Sequence, residues 1–224
     1  GVPLVEGHGP HPWDLPTAHR DAIRRLYADA KQCLRAAPEP TLLATIPDPV
    51  VLHTCSRDRD DFILQPATGE RLADPTILDA LTADVDVQLV ISDGLNALAL
   101  TDPDHLAPYL AAARPLLAAA GLRVAREHLV VTDGRVRIGY AIGQRRFADL
   151  TPGHPRVLIH LIGERPGTIH HNYSIYITAA DPRAWARGVD HDITRVISGV
   201  SDTALGPVLA ARETAAIVRS LTRR

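Results

Sequence analysis

The 224-residue sequence predicts an α/β fold: a Rossmann-like layered sheet with flanking helices, preceded by a small helical N-terminal segment. Three observations carry this expectation. Residues 157–162 are almost wholly apolar and rich in β-branched side chains, as in a strand covered on both faces within a parallel sheet. Residues 85–92 and 124–132 are two further strand-like runs. Between them lies an Ala- and Leu-rich helix, 105–120, closed by Gly121. Hydrophobic residues make up 46% and charged residues 22%, the balance of a globular protein, and with only 4% aromatics the core must be built from Ala, Leu, Val and Ile.

Taken in order, residues 1–16 form an irregular arm punctuated by Pro3, Pro10, Pro12 and Pro16. His8 and His11 sit in it without a third ligand nearby. Thr17 is expected to cap a helix over 18–37 that aligns Ile23, Leu26, Tyr27, Ala30 and Leu34 on one face, a packing or partner surface. Pro38 and Pro40 end it. Residues 41–46 and 50–54 read as short strands broken by Pro47 and Pro49, and 56–61 as a solvated charge cluster. A turn over 65–72 opens a helix through Leu81. Beyond the strand at 124–132, residues 135–138 read as a short extended continuation. Residues 172–178 and 193–200 are strand-like, 181–190 is an exposed connection containing Trp185, and a last helix covers 204–221. A division follows at residue 61: 1–61 as a partner-contacting arm and helix, 62–224 as the α/β domain that contacts a ligand.

In open α/β sheets, ligands bind beyond the carboxyl ends of the strands. Glu164 and Arg165 lie there, between Gly163 and Gly167, glycines that let a backbone come close. They are candidate ligand contacts; the plainer alternative is a solvated turn. Asp93, beside Gly94 at the end of another strand, is either the N-cap of the next helix or a ligand contact. His160, inside a buried strand, is expected to be a neutral core histidine. His170 and His171, if in a strand, point to opposite faces and do not chelate together.

The sequence also excludes much. It has no Gly-x-Gly-x-x-Gly after a strand, no Walker loop and no Gly-x-Ser-x-Gly elbow. Cys33 and Cys55 make neither a metal-type pair nor a disulfide framework, which favours a reduced, cytoplasmic setting. A net charge of -2 gives no reason to expect nucleic acid or an anionic membrane, and no run is long enough to span a bilayer. With no methionine anywhere, Gly1 does not read as a natural start. Asp93, Glu164 and the histidines present no base–nucleophile pair, so no catalytic residue and no metal ligand is assigned. Ligand contacts without catalytic machinery point to a subunit that completes a cofactor pocket.

Three stretches together resemble one family. Asp86-Val-Gln-Leu-Val-Ile-Ser-Asp-Gly-Leu95, Gly134-Arg-Val136 and Leu161-Ile-Gly-Glu-Arg-Pro-Gly167 resemble the small (light) subunit of ethanolamine ammonia-lyase, in the right order, and residues 66–72 do so more weakly. The resemblance covers 62–224. It implies a partner and a cofactor: a large TIM-barrel subunit carrying most of the substrate site, and adenosylcobalamin, whose pocket the small subunit closes. It implies a radical deamination of ethanolamine, or a related amino alcohol, to an aldehyde and ammonia, and no activity without the large subunit. It carries cobalamin contacts onto Val136, Glu164 and Val196, where Glu164 can accept N–H groups of the corrin amides and Val136 can lie against the ring. It also implies a cytoplasmic location or a bacterial microcompartment. Two departures stand out: the family's Cys-Ile-Ser-Asn is here Val196-Ile-Ser-Gly199, and its Gly-Asp-Glu-Ile-Gly is here Gly139-Tyr-Ala-Ile-Gly143. They keep open the alternative of a non-catalytic binding or interaction protein that retained the fold.

Overall fold

The computed structural model describes residues 9–11, 14–38, 40–102, 104–166 and 171–222. At its centre is a six-stranded mixed sheet, which bears out the α/β fold. Its strands are β1 (Pro49–His53), β2 (Val87–Ser92), β3 (Val124–Thr132), β4 (Arg156–Gly163), β5 (Tyr173–Ala180) and β6 (Thr194–Val200). The order is β1-β3-β2-β4-β5-β6. The first four are parallel, and β5 and β6 run antiparallel to their neighbours. The connections dictate this pattern. Parallel strands need a crossover, which α5 (Leu106–Ala119) supplies between the neighbours β2 and β3, and α6 (Val136–Phe147) between β3 and β4, which lies on the other side of β2. The short link from β4 to β5 allows only an antiparallel return.

Every residue of β2 and β4 is buried, as their apolar composition requires. On one face Val87, Leu89, Ile91, Val157, Ile159 and Leu161 pack with α5 and with α8 (Pro207–Thr222). On the other, Val90, Leu129, Val131 and Leu158 pack with Ile138, Ile142 and Phe147 of α6 and with Trp185 of α7 (Pro182–Arg187). Each such aliphatic side chain removed from water contributes about 1.5–3 kcal/mol.

Several expectations fail, each for a tertiary reason. Residues 135–138 do not continue a strand; they begin α6. That helix sits close on the sheet because Gly139 and Gly143 leave room: a Cβ at 139 would come 2.8 Å from the His160 ring, and one at 143 would come 2.4 Å from Trp185. Residues 181–190 are not an exposed connection, for Trp185 is fully buried and donates from Nε1 to the Arg156 carbonyl at 3.1 Å. Residues 41–46 are not a strand: 41–45 belong to the helix α2 (Pro40–Thr45), whose Leu42 joins the core, and Ile46 lies in the bend after it. The helix expected through Leu81 is two 3₁₀ turns, Pro66–Glu70 and Pro75–Ala80. In α1 (Thr17–Arg35) the cap position is Pro16, with no side-chain hydrogen bond, and Thr17 is already helical. The division after residue 61 falls inside α3 (Arg59–Leu64), and β1 belongs to the common sheet.

The amino ends of the strands are tied by charge. The buried Arg156 donates to Asp86 at 2.7 Å and to Asp84 at 3.0 Å, while Arg123 and His154 also donate to Asp86. Burial alone would raise the Asp86 carboxyl, but these hydrogen bonds outweigh it and hold the group well below the usual carboxylate range. The opposite, carboxyl ends hold the candidate site.

Candidate functional site

The space at the carboxyl ends of β2 and β3 is filled by the chain itself. Arg59, read from sequence as part of a solvated cluster, is only 13% exposed. Its guanidinium donates to Asp93 at 3.0 Å, Asp133 at 2.7 Å, the Gly94 carbonyl at 2.8 Å and the Leu34 carbonyl at 2.8 Å, and it lies 4.6 Å from the Phe62 ring centre. Asp93 is therefore neither an exposed ligand contact nor a cap. It also accepts from the Gly134 amide, while Asn96 caps the following turn through Ala99. Burial pushes the Asp93 carboxyl up to about 7 despite the Arg59 charge.

The glycines have a similar internal use. Gly94 has φ +56°, and a Cβ there would lie 2.2 Å from the Gly163 carbonyl oxygen; a Cβ at Gly163 would lie 2.1 Å from the Asn96 carbonyl oxygen. Gly163 thus admits the turn after β2 rather than a ligand. The other glycine of that motif, Gly167, lies outside the described residues, as does His170.

Val136, Glu164 and Val196 come from three segments and share the α6 face of the sheet. His160 of β4, Tyr176 of β5 and Val196 of β6 stand in register across neighbouring strands, so their side chains project on the same side. Val136 opens α6 above this row, its carbonyl facing the His160 ring. Glu164 follows β4 and accepts from the Tyr176 hydroxyl at 3.4 Å. Among the described residues no helix covers this face over β6, and Val196 is 49% exposed. Val136 and Glu164 are half-buried.

Polar and aromatic groups that sequence reasoning missed lie beside Glu164 and Val196. Tyr176 stacks on His191 with ring centres 6.0 Å apart, and His191 hydrogen-bonds Tyr140. Thr194 donates to the Tyr140 hydroxyl at 3.2 Å and pairs with Thr178 at 2.9 Å. Burial, with Glu164 beside it, pushes the Tyr176 phenol up to about 12, so it stays a donor. The only sequence signal was a run of polar residues at alternate positions of β5, 174, 176 and 178.

Ser92 and His160 meet at 2.6 Å but make no nucleophile–base pair that a substrate could reach, since both are fully buried. Gly134 and Gly139 close over them. Burial brings the His160 imidazole down to about 4. It is the neutral core histidine expected, although its Nδ1 has no hydrogen-bond partner of regular geometry.

The arrangement can accept amide N–H groups at a carboxylate and offer apolar contact at two valines. Gly199 has φ +71°, a conformation open to glycine and asparagine alike. Among the described residues no helix is long and apolar enough to cross a membrane.

The chain is 31% identical over 222 residues to the ethanolamine ammonia-lyase small subunit of Ralstonia nicotianae, covering 94% of this chain and 77% of that protein. The protein of the same name from Azotobacter vinelandii is 31% identical over the same shares. That from Pseudomonas syringae pv. tomato is 28% identical, over 94% of this chain and 72% of its own length. The profile of the family described as "Ethanolamine ammonia-lyase light chain (EutC)" matches residues 10–224. The chain belongs to the ethanolamine ammonia-lyase light chain family.

Proposed function

We propose that this chain is the small subunit of an adenosylcobalamin-dependent ammonia-lyase that deaminates ethanolamine, or a related amino alcohol, to an aldehyde and ammonia. The observation that carries the proposal is that Val136, Glu164 and Val196 lie on the same side of the sheet, the side of α6, with Val196 exposed at its β6 edge. That face suits a corrin in kind. Val136 and Val196 offer apolar contact, and Glu164 offers a carboxylate to the amide side chains of the ring's rim. When bound, the cofactor supplies the radical chemistry of the deamination. This chain's residues bind and orient it: Tyr176 donates to Glu164 and holds the carboxylate, while the valines and the rings of Tyr176, Tyr140 and His191 keep water from that side.

Substrate and catalytic groups belong, in this reading, to a large TIM-barrel subunit, and the chain is inactive without it. The N-terminal segment, with Tyr27 67% exposed on α1, is the partner-contacting part. The complex would work in the cytoplasm or within a bacterial microcompartment.

The test is a visible-absorbance titration of the two-chain complex with adenosylcobalamin. Glu164→Ala should weaken binding roughly ten- to a hundredfold, as loss of a hydrogen bond to a charged group does, and leave the fold intact. Unchanged affinity overturns the pocket assignment. A stable complex with no cobalamin binding at all favours the non-catalytic binding protein instead.

A further inference from the structure

Away from that face, three donors converge at the edge of α1. Asp29 and Cys33 are one helical turn apart, so their side chains share a side of the helix. His171, just before β5, meets them there. The Cys33 Sγ lies 3.2 Å from His171 Nε2 and 3.9 Å from an Asp29 carboxylate oxygen, and that oxygen lies 3.6 Å from Nε2.

These spacings have a meaning. Tetrahedral ligands of one zinc ion, at the usual bond lengths, stand about 3.5 Å apart for sulfur with nitrogen or oxygen and about 3.3 Å for nitrogen with oxygen. The triangle here differs from that by only a few tenths of an ångström.

The histidine is also oriented as a ligand would be. Its Nδ1 donates to the Asp102 carboxylate at 2.7 Å, which leaves the Nε2 lone pair directed at Cys33 and Asp29. A carboxylate on the far nitrogen of a ligating histidine is the usual second support of a metal site. The donors come from two stretches of chain, with Cys33 and His171 138 positions apart, so no local spacing in the sequence could have shown them.

We propose that Asp29, Cys33 and His171 bind a divalent metal ion of borderline softness, for which the thiolate, imidazole and carboxylate set selects Zn2+, with a fourth position left for water. Its role would be structural. Cys33 is the only buried residue of α1, so hydrophobic burial does little to hold that helix. A bound ion would fasten α1 to the segment before β5, and Asp102 would connect the clamp to the end of α4 (Leu98–Thr101).

The experiment uses the full chain without an affinity tag, stripped with a chelator. Zn2+ is titrated against a chromophoric competitor, and Co2+ is titrated while thiolate-to-cobalt charge transfer is followed in the near ultraviolet. One ion per chain is expected, with a charge-transfer band and a thermal midpoint that rises on adding Zn2+. Cys33→Ser should abolish the band, and His171→Gln should weaken Zn2+ binding about a hundredfold or more. Asp102→Asn should weaken it about 10- to 100-fold. Cys55→Ser should change nothing, and circular dichroism checks each fold. Should Cys33→Ser not fold, His171→Gln decides, because that side chain is partly exposed. The proposal is overturned if the wild-type chain takes up no Zn2+ at micromolar metal. It is equally overturned if the band survives Cys33→Ser, disappears in Cys55→Ser, or if His171→Gln binds Zn2+ as wild type does. None of these readouts depends on cobalamin or on ammonia-lyase activity.

Discussion

The two faces of the sheet are built from the same strands and differ in kind. Toward α5 and α8, β2, β4 and β5 present Val87, Leu89, Ile91, Val157, Ile159, Leu161, Ile175 and Ile177, in one continuous apolar cluster. Toward α6 the alternate positions of the same strands carry Gln88, Ser92, His160, Ser174, Tyr176 and Thr178 among the apolar residues. Both faces of β2 and β4 are buried, so burial does not tell them apart. The position of the polar groups does. One face holds the fold together, and the other carries the polar row that leads to Glu164 and Val196.

The largest expected effect tests the apolar face. Ile159→Ala should cost about 2–5 kcal/mol in urea unfolding, through lost burial and the cavity left behind. A loss under about 1 kcal/mol would mean that the two faces share the work of stability more evenly than the packing indicates.

Next comes a pH effect on the polar face. His160 titrates at about 4 when folded against 6.5 when unfolded. As pH falls the unfolded chain takes the proton first, so His160's contribution is complete above about 6.5 and is lost as pH falls through about 4. The difference amounts to about 3 kcal/mol. Asp93 acts in the opposite sense. Its unfolded carboxyl releases its proton near 3.8 and the folded one near 7, so stability from this group declines as pH rises across that interval. The two offset each other in the wild type. His160→Gln should expose the Asp93 slope, with the urea midpoint falling from pH 4 to pH 7 more steeply than in the wild type. Parallel profiles for variant and wild type would show that His160 is not desolvated as its setting implies.

The smallest effect sharpens the contrast. Val196→Ala, on the uncovered part of the face, should change stability by no more than about 0.5 kcal/mol while lowering cobalamin affinity in the two-chain complex. A stability loss above about 1 kcal/mol would place Val196 in a closed core and remove it from the cofactor face.

What could be read from sequence follows from where the information lies. The strand at 124–132 was legible to the residue, because its β-branched ends, Val124 and Val130-Val-Thr132, are bounded by Arg123 and by Asp133-Gly134. The helix α6 was not, because Gly139, Gly143 and the β-branched Val136, Ile138 and Ile142 carry strand character. Those glycines serve close contact with His160 and Trp185, which no local window contains. Arg59 looked solvated for the same reason, its carboxylate partners lying 34 and 74 residues away. Val136, Glu164 and Val196 were reached only through family resemblance. Tyr140 and His191, which flank Tyr176, left no mark in the local pattern.

Arg59 has a further consequence, in the order of events rather than in energy. Its guanidinium joins Leu34, Asp93 and Asp133, across 25, 34 and 74 residues of chain. Each loop so closed costs entropy before the contact repays it. The complete cluster can form only when β2 and β3 lie side by side and the end of α1 has come down upon them. The ion cluster is thus a late closure, set after the sheet exists, and its strength governs how slowly the native molecule comes apart rather than how quickly it assembles.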